Sequence, residues 1–378
     1  MKISMLSTAP AFDVCGPIAA PPLTTAVLRD LEQMERLQQE WQGLFERCAT
    51  PCIFLSPAWH VAWWRAFKGA SEAHIVTVRD ASQRLVGIAP LQLRRDVWRG
   101  LRVRVLGSYN NDHASRTNFL IDPAHTQAVT HAIAQQLVQS QWHWDVLHLQ
   151  QLPQQAAWVT SFTQACQAAG LTPFAPTPGV AKCTITLHGT WQDFLANRSS
   201  HFRSRLKENM RRVQKHGRVE YWRSGGTAED FAVFEKLEQT SWKAQDSYAR
   251  LGPKGWAFQQ EVALAADAGV RCHNIFLEVD GKVVGAIHAV GIGGVMYSLQ
   301  MLFDESVRHL YPGRALFAVH IGDMFADAQT SVLDLNGNSP FCQSWTEQAA
   351  QFVDLQVFNR NPYSRLLALL KRFWGRNR

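Results

Sequence analysis

Apolar positions in the first half of the chain recur at helical spacing and then alternate. Leu28, Leu31, Met34, Leu37, Trp41 and Leu44 predict a helix from Thr24 to about Arg47, and Ser56-Pro57 opens a second one carrying Trp59, Trp63, Trp64 and Phe67, with Pro favoured in a first turn. Short β-type runs follow over His74–Arg79, Leu85–Leu93 and Leu101–Leu106, with turns at Asp80–Arg84 and Trp98–Gly100. A polar stretch, Tyr109–Asn118, then leads to Phe119–Ile121, a helix over Thr126–Ser140 and a strand over Trp144–Leu149.

The second half repeats this order. Asn274–Val279, Lys282–Val290 and Val295–Phe303 read as strands joined by Asp280-Gly281 and Gly293-Gly294 turns, before a helix from Pro312 to Ala328 and a strand over Val332–Leu335. Val86-Gly87-Ile88 corresponds to Val284-Gly285-Ala286, and Trp144-Asp145-Val146-Leu147 to Leu333-Asp334-Leu335. The expected fold class is α/β with mixed α+β sheets: two similar units flanked by helices, at 23–152 and 181–359. Residues 153–180, with Pro153, Pro173, Pro176 and Pro178, read as a helix and crossover linker. Residues 1–22, rich in Ala, Pro and Ser, are expected to be a poorly ordered lead-in, and 360–378 a basic amphipathic helix. Within the second unit, Cys183–Leu187 begins the fold, Thr190 to His216 predicts a basic helix closed by Gly217, and Ala228–Gln245 a further helix with Glu238 and Trp242.

Length and composition narrow the class. At 378 residues, 46% hydrophobic and 18% charged, the chain is too large for a stapled miniature domain and too apolar for general disorder. Its 14 tryptophans exceed what packing alone would call for. The seven scattered cysteines suit reduced thiols, and no metal-ligand spacing is visible. With no signal peptide and no run of the roughly 20 apolar residues that cross a bilayer, a cytoplasmic location is expected, at most peripheral to the inner membrane face.

The net charge of +7 is localised, because residues 198–218 hold eight Lys or Arg against Glu208 alone, and residues 360–378 hold six cations and no acid. Such patches suit an anionic ligand or surface. For the basic helix three readings stand: a solvated face, an anion-binding face for an acceptor, CoA phosphates or an acyl carrier protein, or a nucleic-acid face. The last is disfavoured by the lack of any base-recognition module. For the C-terminal helix, with Leu366, Leu367, Leu369, Leu370, Phe373 and Trp374 among cations, lipid-interface binding and docking on its own domain are both open.

Chemistry concentrates at Leu310-Tyr311-Pro312-Gly313-Arg314-Ala315-Leu316. The first amides of a helix lack intrahelical partners, Pro312 pre-sets the turn, Gly313 admits a ligand to the backbone, and Arg314 adds charge, so a pyrophosphate would fit. The preceding strand runs straight into this cradle, and a later strand ends in Asp334-Leu335-Asn336-Gly337.

This arrangement resembles the GNAT N-acyltransferase superfamily. More specifically it resembles the BioF2-like, cellulose-biosynthesis-type acyltransferases, tandem relatives of the Fem-type peptidyltransferases. The stretches that carry the likeness are Trp41, Ser56-Pro57-Ala58-Trp59, Leu85–Leu91, Trp144-Asp145, the arginine-rich helix, Asp280-Gly281, Phe303-Asp304, Pro312–Leu316 and Asp334–Gly337. The resemblance implies an acyl-CoA or acyl-carrier-protein thioester whose arm lies along Met301, Leu302 and Phe303, with its diphosphate on Pro312, Gly313, Arg314, Ala315 and Leu316 and a further contact at Asn336. It implies a degenerate first unit that shapes the acceptor groove, no metal, and transfer to an amine of a sugar, lipid or amino acid. A Fem-type transfer from aminoacyl-tRNA and a non-catalytic acceptor-binding protein are the rival readings. One departure stands out: where this family tends to carry Tyr-Lys after its Asp-x-x-Gly element, this chain has Phe341-Cys342.

Such a reaction needs an oriented neutral amine, an oxyanion donor and a proton acceptor. Candidate bases are His288, Asp334 and Glu238; Tyr297 could protonate the thiolate. Each has a plain structural alternative: a satisfied core histidine, a cap, a helix-surface carboxylate and a packed strand aromatic. Trp242, Arg203 and Arg211 are the candidate substrate contacts.

Overall fold

Asp30 interrupts the first helical run: its carboxylate accepts the Gln33 N–H and caps helix α1 (Leu31–Arg47), so the β-branched residues ahead of it form strand β1 (Thr24–Leu28). The expected start of that helix at Thr24 is thereby corrected. The computed structural model describes residues 23–48, 52–109, 116–139, 143–246 and 249–376; the lead-in at 1–22 and most of the polar stretch at 109–118 lie outside the described residues.

Helix α2 (Pro57–Phe67) is capped by Ser56, as its sequence predicts, and leads to β2 (Glu72–Arg79), β3 (Leu85–Trp98), β4 (Leu101–Ser108) and β5 (Leu120–Ile121). Helix α3 (Thr126–Gln139) and strand β6 (Val146–Pro153) complete the first unit, followed by α4 (Trp158–Ala168), β7 (Thr172–Pro173) and β8 (Thr177–Pro178). The second half runs through β9 (Lys182–Thr186), α5 (Trp191–Ala196), α6 (Ser200–Gln214), β10 (Val219–Ser224), α7 (Ala228–Thr240), α8 (Gly252–Ala263) and the meander β11 (Arg271–Val279), β12 (Lys282–Ile292) and β13 (Val295–Phe303). Then come α9 (Pro312–Ala326), β14 (Val332–Asp334), α10 (Pro340–Gln343), β15 (Ala349–Ala350), β16 (Phe352–Phe358) and α11 (Pro362–Arg376).

Two mixed sheets result, ordered β1-β2-β3-β4-β6-β16-β7 and β10-β11-β12-β13-β14-β9-β15. Each is an antiparallel meander of four strands to which the fifth adds in parallel, β6 on β4 and β14 on β13. The duplication extends to single residues. Gly87 pairs with Val78 and the next pair skips Val86; Gly285 pairs with Leu277 and the next pair skips Val284. The Val86 carbonyl accepts from Asp122 N and the Val284 carbonyl from Asp304 N, both at 2.9 Å, and each aspartate caps a short 3-10 turn. The second match shifts by three positions in the structure: the first parallel pairs are Val105 with Val146 and Val295 with Val332, so Asp334 corresponds to His148 and not to Asp145.

The units are interleaved. Strand β16, expected within 181–359, pairs antiparallel with β6 in the first sheet, and β7 and β8 of the expected linker pair with β16. The basic helix is two helices, because Thr190 caps α5 in a capping box and Ser199 starts α6 afresh. Helix α7 ends at Thr240, short of Gln245, and Trp242–Gln245 forms a separate 3-10 turn.

One apolar cluster spans both units, joining Trp41, Phe54 and Trp59 to Phe234, Trp256, Phe276 and Tyr297. Trp59 packs edge-on against Phe258 with ring centroids 4.8 Å apart. The tryptophan excess is therefore largely a packing feature, since Trp41, Trp59, Trp144, Trp256 and Trp345 are all fully buried.

Candidate functional site

Strands β13 and β14 pair only from Val295 with Val332 to Tyr297 with Asp334, and then diverge. At that point β13 also slips against β12: His288 pairs with Gln300 and Ala289 with Ser298, leaving Leu299 as a bulge. Bulge and divergence together open a wedge of about 360 Å³. Its lining includes Ser298, Leu299, Gln300 and Met301 on one strand, Leu335, Asn336 and Cys342 beyond the other, Phe317 from α9, and Trp242 and Lys243 from the turn after α7.

The start of α9 adjoins this wedge. Tyr311 takes a left-handed conformation (φ 57°) at the cap position, and no side chain caps the helix. The Arg314 and Ala315 amides turn back onto the Tyr311 carbonyl at 3.1 and 3.4 Å. A Cβ placed on Gly313 would lie 3.4 Å from Phe303 and 3.5 Å from Met301, which puts the glycine against the wedge-lining strand. Three guanidinium groups gather here: Arg314 stacks over Phe341 and Trp345 and donates to Ser344, Arg212 lies 5.5 Å from the centre of the Tyr311 ring, and burial with the nearby Arg205 charge holds Arg314 below its usual pKa. An uncapped helix start with converging cations is an anion site in physical terms.

The predicted cofactor residues divide by backbone direction. Met301 and Asn336 line the wedge, and Phe303, Pro312, Gly313 and Arg314 form or flank the cradle. The side chain of Leu302 points into the core between the units, while those of Ala315 and Leu316 are fully buried in the second unit's core, so these three can offer only backbone.

The predicted acid–base residues are not in the wedge. His288 is completely buried, with Nδ1 2.8 Å from Asn274 Oδ1 and Nε2 3.2 Å from Gln259 Oε1, and burial pushes its pKa down to about 3. Glu238 accepts from the amides of Leu251 (2.8 Å) and Gly252 (3.0 Å) and from Trp256 Nε1 (3.1 Å), fixing the start of α8. Asp334 is held by Arg116, and Tyr297 packs beside Phe54 and that same arginine, with burial raising its pKa well above normal. His288 and Tyr297 thus sit as a satisfied core histidine and a packed strand aromatic, whereas Glu238 is buried rather than on a helix surface and Asp334 is a buried ion-pair partner that also accepts from the Asn336 amide. Among the substrate candidates, Trp242 is exposed at the wedge, but Arg203 donates to the Ala196 and Leu195 carbonyls at the end of α5, and Arg211 is exposed and does not line the wedge.

Sequence reasoning missed three features. Arg205 and Arg212, seven apart and hence on one helix face, are α6 cations beside the cradle, one acting on Arg314 and the other on the Tyr311 ring. Ser298 Oγ lies 2.9 Å from His320 Nε2, a polar link between β13 and α9. Lys243 extends into the wedge and donates to Gln300, and burial pulls its pKa down to about 8 against weaker opposing effects of Glu238 and Asp246. Spacing could have flagged the two arginines; nothing local could have flagged Lys243, whose surroundings come from β13. Among the described residues, no three His, Cys, Asp or Glu converge as a metal site.

Residues 200–341 match the acetyltransferase (GNAT) domain family. No curated protein matches the sequence. Among solved structures, FemX aligns with a TM-score of 0.60 at 11% identity, over 87% of this chain and 98% of its own. The C-terminal domain of a putative lysylphosphatidylglycerol synthetase from Agrobacterium fabrum aligns at 0.53 and 11% identity, over 89% and 95%. The L-PGS structure from Bacillus licheniformis aligns at 0.50 and 9% identity, over 88% and 92%. Residues 200–341 thus carry a GNAT acetyltransferase domain, an enzyme domain of acyltransferase type, within a two-unit mixed α/β fold similar to those of these three structures.

Proposed function

We propose that the chain is an N-acyltransferase that moves an acyl group from a CoA-type thioester to an amine, by direct attack in the wedge between β13 and β14. The observation that carries this is the continuity of the wedge with the uncapped start of α9. One end offers unpaired strand edge and apolar walls to an extended arm, and the other gathers Arg205, Arg212 and Arg314 beside the Gly313 amide at the helix start for a diphosphate. The Gly313 N–H, with the Arg205, Arg212 and Arg314 side chains, holds the diphosphate; Met301 and Phe303 flank the arm; the backbone at the Leu299 bulge lies beside the carbonyl and supplies an N–H to the developing oxyanion. Exposed Trp242 borders the side from which the acceptor enters, and an amino sugar, a lipid amine or an amino acid is the acceptor class. The stretches from Trp41 to Asp334–Gly337 that resemble the BioF2-like, cellulose-biosynthesis-type acyltransferases support placement in that branch. An acyl carrier protein as donor would engage the exposed cations of α6.

A peripheral membrane contact belongs to the same proposal. Helix α11 docks by Ser364, Leu367 and Ala368 onto the first unit, yet its opposite face exposes Leu366 (51%), Leu369 (59%) and Phe373 (65%) beside Arg365 and Arg372. Both readings of this helix are therefore compatible: one face docks, and the other suits an anionic lipid surface. Among the described residues, no helix is long and apolar enough to cross a membrane.

The test is incubation with acetyl-CoA, palmitoyl-CoA and an acyl-carrier thioester against glucosamine, sphingosine and lysine, reading thiol release and amide product. Turnover that survives ribonuclease supports the thioester reading, RNA-dependent transfer would favour the Fem-type reaction, and no transfer with any pair would support a non-catalytic acceptor-binding role.

A further inference from the structure

We propose that Lys243 is the proton-transfer residue of this acyl transfer, its neutral amine taking the proton that the attacking nitrogen sheds. The inference rests on the acyltransferase reading above. Helix α7 stops at Thr240, Ser241 folds its hydroxyl back onto the Glu238 carbonyl at 2.8 Å, and the 3-10 turn Trp242–Gln245 then directs the Lys243 side chain into the wedge. The amine lands on Gln300, the residue after the Leu299 bulge, where a thioester carbonyl held along β13 would lie. The other titratable groups considered for this role are committed elsewhere, to Arg116, to the start of α8 or to a closed core network.

The surroundings of Lys243 suit the task. Its hydrogen-bond partner is a neutral amide, the Trp242 ring centre is 5.8 Å from Nζ, and the charged groups facing it are Glu238 from α7 and Asp246 at the end of its own turn. Burial outweighs both carboxylates and leaves the amine titrating near 8, so a useful neutral fraction exists at physiological pH.

The step balances without a further reagent. The acceptor nitrogen forms its bond to the thioester carbon, Lys243 Nζ takes one proton from that nitrogen, the carbon–sulfur bond breaks, and the departing thiolate takes the proton from the Lys243 ammonium. Amide and thiol are the products, and the lysine returns to its neutral form.

The test uses the acyl-CoA and amine pair that turns over in the panel above, with the full-length chain, Lys243→Met and Lys243→Arg. CoA affinity is measured alongside by calorimetry, and the Lys243 titration by NMR of 13C-methylated lysines, assigned by its loss in Lys243→Arg. The expected result is a rate limb and a lysine resonance that both titrate near 8, a kcat loss of roughly 100-fold or more in both variants, and CoA affinity within about twofold of wild type. Retention of the rate and its pH limb in Lys243→Met, with CoA still bound, would overturn the assignment while leaving the acyltransferase reading intact. Failure of the wild type to bind CoA or turn over any pair would instead remove the reading on which it rests.

Discussion

Arg116 Nη2 lies 2.6 Å from Asp334 Oδ2, and both side chains are more than nine-tenths buried. The pair joins the first unit to the end of β14, at the point where β13 and β14 part. The guanidinium is also enclosed by Phe54, Tyr297 and Phe352, with its centre 5.1 to 5.3 Å from their ring centres. Asp334 is thus an anchor that fixes the mouth of the wedge from below. Breaking a buried pair strands one charge, so Arg116→Met is expected to lower unfolding free energy by about 3–5 kcal/mol, and Arg116→Met with Asp334→Leu to recover most of that loss. Urea denaturation of the single and double variants checks this; a neutral single substitution would contradict it.

Glu238 should behave as a structural carboxylate. Replacing it by Gln weakens the hold on two amides and Trp256 Nε1, with an expected destabilisation of about 2–4 kcal/mol. The folded fraction should remain active. Because Glu238 raises the Lys243 pKa, its neutralisation should move the rate limb to lower pH. A rate loss with unchanged stability and no movement of that limb would mark Glu238 as the base after all.

Stability should fall with acid well before the carboxylates titrate. Burial lowers the pKa of His60 to about 4 and of His288 to about 3, and burial together with His273 lowers that of His320 to about 3. The native state therefore binds fewer protons than the unfolded chain, whose histidines titrate near 6.5. Their contribution is complete above about pH 6.5 and is lost as pH falls toward 3, at roughly 1.4 kcal/mol per unit for each group. Denaturation curves at pH 7, 6 and 5 should show a steady drop, shallower in His288→Gln if that variant folds. A flat profile over this range would contradict the closed histidine environments.

Helix α11 gives a prediction independent of catalysis. Leu366→Ser, Leu369→Ser and Phe373→Ser together remove the outward apolar stripe without touching the docked face. Co-sedimentation with vesicles containing anionic phosphatidylglycerol should fall several-fold, with the thermal transition little changed. Equal sedimentation of both proteins would leave the stripe without a lipid role.

The duplicated architecture was legible because its signals are local. The Asp-Gly and Gly-Gly turns between β11, β12 and β13, the Ser56 cap and the Val-Gly repeat in β3 and β12 all appear where their spacing places them. The cradle was legible for the same reason, since Pro312 and Gly313 define it within one turn. Whatever depends on distant strands was not. The exchange of β16 into the first sheet leaves no trace in periodicity, and His288 reads as a plausible base until Asn274 and Gln259 are seen to close around it. Lys243 reads as an ordinary helix-end lysine until β13 is seen to supply Gln300.

Calorimetric titration of CoA into the wild type, Gly313→Ala and Gly313→Trp tests the central claim most directly. A Cβ at Gly313 would make only ordinary contacts with Phe303 and Met301, so the alanine variant should bind nearly as the wild type does, whereas an indole there would fill the cradle. The account predicts saturable binding that is lost in Gly313→Trp and weakens with salt as Arg205, Arg212 and Arg314 are screened. Binding that is absent from the wild type, or unchanged in a folded Gly313→Trp protein, would contradict it.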